Sequence, residues 1–169
     1  MRQKNISFIS LIFLLCVSCT SGFDRNKFDR AEHIAQDIQR SITTGAEYQH
    51  FSQLVTQLSF EVSGLKATAI SDKEKELLKG YSDLLAIYQD GLFLLKYRLE
   101  FSRHSFVPKG LIYVGQDIEP IVEKYKFETK DHIFQPTMQA WKSIPEGSIN
   151  VVWFNAGVQF RRTINFPEG

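Results

Sequence analysis

From Phe28 onward the chain alternates apolar and polar residues with the period of a helix. Phe28, Ala31, Ile34, Ala35, Ile38 and Ile42 recur at steps of three and four, which lays one apolar stripe along a helix. Asp24 or Asn26 is placed to cap its start, and Gly45 to end it. A second stripe follows at Tyr48, Phe51, Leu54, Val55, Leu58, Val62 and Leu65. The link between the two is short, so the spacing predicts an antiparallel helical hairpin.

Ser71 followed by Glu74 matches a capping box, in which the serine hydroxyl and the glutamate carboxylate close reciprocal bonds to the backbone. It opens the longest periodic run: Leu77, Leu78, Tyr81, Leu84, Leu85, Tyr88, Leu92, Leu95 and Leu99. Ile87, Phe93 and Leu94 widen that face, which predicts a central helix buried on more than one side. Gly80 and Gly91 each cost about 1 kcal/mol there relative to alanine. They read as glycines tolerated in a strongly packed helix, the alternative being close helix approach or a bend.

Pro108 and Gly110 close that region. Helical spacing resumes over Gly115 to Tyr125, with Pro120 early enough for a first turn. Residues 126–147 break the pattern at Pro136, Pro145 and Gly147, and Met138, Ala140 and Trp141 suggest at most a short helix. Ser148 then caps a last helix with Ile149, Val152, Trp153, Ala156, Phe160 and Ile164 on one face. Val151 to Phe154 has strand propensity, but the continuing 3-4 period and the lack of a partner strand favour helix. The expectation is an all-α bundle of four to five helices.

The first 22 residues, MRQKNISFISLIFLLCVSCTSG, obey another logic. Arg2 and Lys4 precede an almost wholly apolar Ile6 to Val17, and Val17-Ser18 supply small residues before Cys19. Charge, apolar segment and small-residue cleavage site make a secretory signal. With a cysteine directly after that site, the segment resembles the lipobox of bacterial lipoproteins, with Cys16 where the usual pattern has leucine. The resemblance implies removal of residues 1–18, lipidation of the Cys19 thiol, palmitate among the acyl groups, and acylation of the new amino group. Thr20 is not the aspartate that retains such proteins in an inner membrane, which favours an outer membrane facing the periplasm if the host has two. The rivals are a plain secretion signal and an uncleaved membrane helix; the apolar run is about a dozen residues, against about 20 for a span. The expected organisation is a signal at 1–18, a tether at 19–25 and one helical domain at 26–169.

Of 169 residues 43% are hydrophobic and 13% aromatic, and the body left after cleavage is large enough for one core. Both cysteines, Cys16 and Cys19, lie in the signal region, so the folded body has no thiol for a disulfide, redox motif or nucleophile. Losing Arg2 and Lys4 takes the basic residues from 20 to 18, against 19 acidic. That balance carries no footprint for nucleic acid.

Motifs for chemistry are missing. His33, His50, His104 and His132 share no i, i+4 spacing, and there is no HExxH. G-x-S-x-G is absent as well, and no cofactor or metal is implied. Glu74/Glu76 and Asp117/Glu119 stand at helix starts, where acids complement the dipole. Lys96, Arg98, Arg103, His104 and Lys109 make a basic end to the long helix and read as a solvated, dipole-complementing terminus.

Aromatic residues crowd the C-terminal half. Core packing accounts for most, but Phe101, Phe106, Tyr113, Trp141, Trp153 and Phe154 are candidates for a partner-binding face, since large aromatics make interface hot spots. The expected function is a membrane-anchored, non-enzymatic accessory lipoprotein that contacts another envelope protein. The alternative is a carrier of a small hydrophobic ligand between helices.

Overall fold

A computed structural model describes residues 22–45, 47–102 and 107–167. Among them a 3-10 turn at Arg25–Phe28 leads into α1 (Asp29–Thr44), α2 (Tyr48–Thr68) and α3 (Asp72–Phe101). Strand β1 (Leu111–Val114), α4 (Glu119–Tyr125), β2 (Lys130–Phe134), β3 (Gln139–Pro145) and α5 (Ser148–Ile164) complete the order. Cys19, Arg103, His104 and Phe106 lie outside the described residues.

Most of each predicted stripe is buried, though Leu99 of the α3 stripe is 43% exposed. Ala31, Ile34, Ala35 and Ile38 of α1 and Phe51, Leu54, Val55, Leu58, Val62 and Leu65 of α2 are all buried. They close on Leu77, Tyr81, Leu84, Leu85 and Tyr88 of α3 and Ala156 of α5 to form one apolar cluster. Gly45 ends α1 in the left-handed region at φ 73°, which glycine adopts without steric cost. Asp24 caps the 3-10 turn rather than α1, accepting from the Asn26 N–H at 3.1 Å.

At the start of α3 the capping box forms in full, but its glutamate does more than cap. Glu74 is completely buried. One carboxylate oxygen accepts from Ile70 N–H (2.7 Å) and Ser71 N–H (3.0 Å). The other accepts from Asp24 N–H (3.3 Å) and Lys27 Nζ (2.6 Å). The Lys27 ammonium, then the Ile70 and Ser71 amides, outweigh burial and hold the carboxyl at about 2, against an ordinary 4.5.

The all-α expectation fails between Leu111 and Pro145, where a three-stranded antiparallel sheet stands in the order β1-β3-β2. Ile112 faces Ile144 and Tyr113 faces Ser143 in one pairing; His132 faces Trp141 in the other. The short helix expected around Met138 to Trp141 is instead the turn and first residues of β3, and Met138 adopts φ 54°. Four to seven residues per strand are too few to display a period, and β2 is exposed along nearly its whole length. Helix α4 starts at Glu119, later than Gly115, with Pro120 in its first turn. Gly147, not Ser148, is the N-cap of α5.

One sheet face closes the second apolar cluster: Ile112, Val114 and Ile144 pack with Leu94, Ile118, Ile121, Ile149 and Val152. Ile87, Leu95 and Trp153 touch both clusters and join them. Trp153 lies directly over Gly91, where a Cβ would fall 2.0 Å from the indole. Gly91 is therefore a close-approach glycine, not a merely tolerated one. A Cβ on Gly80 would stand 3.1 Å from the Thr163 hydroxyl.

Candidate functional site

The other face of the sheet is aromatic, and strand register explains why. Side chains alternate along a strand, so Tyr113 of β1, Trp141 of β3 and His132 of β2 share the face opposite Ile112 and Ile144. Phe93, Tyr97 and Phe101, four residues apart on α3, line up with them. The six rings form one continuous stack. Its centroid spacings are 5.9 Å for Phe93–Tyr97, 5.3 Å for Tyr97–Phe101 and 4.7 Å for Phe101–Tyr113. Tyr113–Trp141 follows at 5.9 Å and Trp141–His132 at 4.1 Å.

Beside the stack runs a groove of about 290 Å³ lined by Phe101, Tyr113, Phe134, Gln139 and Trp141. Four aromatic walls and one amide suit an apolar group that carries a single hydrogen-bonding atom. Met138, 67% exposed in the β2–β3 turn, adjoins Gln139 at its mouth, while Ile133, 55% exposed, lies on the opposite face of β2.

Polar contacts fix the rings. Tyr97 donates its hydroxyl to Asp117 at 2.9 Å; burial first, then this carboxylate, raises its pKa above the ordinary tyrosine value. His132 Nε2 lies 2.8 Å from Ser143 Oγ. A serine–histidine pair is the start of a nucleophile, but Ser143 is completely buried, and a nucleophile has to meet its substrate. Asp131, next to His132, belongs to the opposite face of the strand by the same alternation. The pair acts as a pin that sets the imidazole against the indole.

A larger hollow of about 520 Å³ lies where α1, α3 and α5 meet, lined among others by Ser41, Phe51, Arg98, Glu146 and Trp153. Arg98 pairs with Glu146 at 2.7 Å in its wall, so its main charges satisfy each other. Arg98, one of the basic residues at the end of α3, is thereby accounted for, and Lys96 approaches Glu100 at 3.7 Å.

Of the six aromatic candidates, Phe101, Tyr113 and Trp141 come together. Trp153 does not: it is half-buried, meeting Phe51 at 5.2 Å. Phe154 is 70% exposed on α5 and makes no ring contact with the stack among the described residues. Phe93, Tyr97, His132, Phe134 and Gln139 belong to the site and were missed. The i, i+4 series Phe93-Tyr97-Phe101 was the available signal for two of them. His33 and His50 are exposed. Among the described residues no group of three His, Cys, Asp or Glu side chains is arranged to hold a metal, and no helix is long and apolar enough to cross a membrane.

No protein-family model, no curated protein and no solved structure matches this chain.

Proposed function

We propose that this chain is a lipid-anchored envelope lipoprotein, attached through Cys19, whose non-enzymatic role is to bind a protein partner on its aromatic face. The observation that carries the reading is the groove between Phe101, Tyr113, Phe134 and Trp141, with exposed Met138 next to its Gln139 wall. Isolated exposed apolar residues are ordinary, whereas a contiguous apolar surface marks an interaction site. Preformed aromatic rings lose little side-chain freedom on binding, which favours them as anchors.

Size bears on what the groove can hold. Pockets for small molecules run from about 300 to 1,000 Å³ and enclose most of their occupant. About 290 Å³ beside the sheet lies at the bottom of that range and accommodates one side chain of a partner. A small hydrophobic ligand remains the second reading, on the strength of the four aromatic walls.

Site-specific photo-crosslinking from Gln139 in intact cells tests the first reading. One dominant protein adduct is expected, lost in Trp141→Ala and absent when the crosslinker stands at Phe154. Adducts equal at both positions, or none, would overturn it. A small molecule retained in native mass spectrometry of the protein from its own host, and released in Trp141→Ala, would establish the carrier instead.

A further inference from the structure

Cys19 and Gly22 are three residues apart, a span of at most about 10 Å. Acyl chains on Cys19, the anchor on which this inference rests, therefore keep Gly22 close to the headgroups. Immediately beyond Gly22 the chain is fixed to the bundle. The Phe23 ring packs on Phe166 with centroids 6.0 Å apart, and Asp24 N–H donates to Glu74. Ile70 N–H donates to the other oxygen of the same carboxylate. One buried side chain thus grips both the incoming chain and the turn between α2 and α3. The tip of that turn is Ile70, apolar and 63% exposed.

We propose that the α2–α3 turn is a membrane-contacting surface, with Ile70 entering the lipid interface beside the anchored tether. The tether decides the occupant: a bilayer held within about 10 Å of Gly22 is the apolar phase nearest to Ile70. A single isoleucine is too little to recruit a protein to lipid. Held there by acyl chains, it meets the interface at high effective concentration and sets orientation instead. Charge near the tip is mixed: Lys66 is exposed on the last turn of α2, and Lys75 approaches Asp72 at 3.4 Å. The contact is therefore apolar, and it should form on neutral and anionic bilayers alike.

The test uses the mature lipidated protein in vesicles of phosphatidylcholine, with and without phosphatidylglycerol. Lipidation blocks the Cys19 thiol, so Ile70→Cys or Met138→Cys offers one site for an environment-sensitive fluorophore. At position 70 a blue shift, at least twofold brightening and quenching by spin-labelled lipid are expected in both compositions. Position 138, on the distal hairpin, should stay water-like and open to iodide. Protein that co-floats with vesicles while position 70 behaves like position 138 overturns the turn contact alone. Protein that neither floats nor incorporates palmitate overturns the anchor, and the turn contact with it. Brightening seen only with phosphatidylglycerol also overturns the proposal, because a charge-driven contact would then replace the apolar one.

Discussion

Glu74 is a buried carboxylate whose four donors come from Asp24, from Lys27 of the 3-10 turn before α1, and from Ile70 and Ser71 between α2 and α3. Its pKa is depressed to about 2, so it contributes stability that is fully present above its ordinary value of 4.5. That contribution declines as pH falls from there towards 2. Chemical denaturation at stepped pH should show Glu74→Gln less stable by about 2 kcal/mol at pH 7, the range for hydrogen bonds to a charged group. The gap should narrow steadily towards pH 2. Gly91 sets two effects against each other. Alanine gains about 1 kcal/mol of helix propensity, but its methyl would meet the Trp153 ring at 2.0 Å, and overpacking costs about 1–3 kcal/mol. The collision wins: Gly91→Ala should lower the thermal midpoint. Gly80→Ala, with Thr163 at 3.1 Å, should stay within about 1 kcal/mol of the parent.

At the scale of elements, α1, α2, α3 and α5 were legible because each runs for four turns or more, long enough for a 3.6-residue period to stand out. The capping box at Ser71 marked its boundary to the residue for the same reason: two side chains at fixed spacing perform one local task. The sheet was illegible because its information is non-local. Leu111-Ile112-Tyr113-Val114 is a four-residue apolar run that no period can classify, and its partner lies some thirty residues on. The site suffered likewise, since Tyr113, Trp141 and His132 meet only through register. β3 sits between both neighbours, and Ile144 on its inner face is completely buried. Ile144→Ala should cost about 2–5 kcal/mol and speed amide exchange in β1 and β2 together. Ile133→Ser, on exposed β2, should stay within about 0.5 kcal/mol. Equal losses from both would show that the sheet is not closed on the second apolar cluster.

Over the whole molecule, α3 is the rod that separates the two surfaces. Its 30 residues rise about 45 Å, with the tether and Ile70 at its first turn and the aromatic stack over Phe93 to Phe101 at the other end. An anchor at one end and a groove at the other would present that groove well clear of lipid headgroups. Trp141→Ala is expected to abolish the Gln139 adduct while costing only the ring pairs with Tyr113 and His132, about 1–3 kcal/mol, because Trp141 faces away from the second cluster. A large drop in midpoint alongside lost crosslinking would make that ring a structural brace instead.

Arg25, three residues past Gly22, donates to the carbonyls of Ile164 and Phe166 at the end of α5, while Asp24 and Lys27 hold the first turn of α3 through Glu74. A tug on the tether therefore does not peel away α1 by itself. The load reaches α3 and α5 at once.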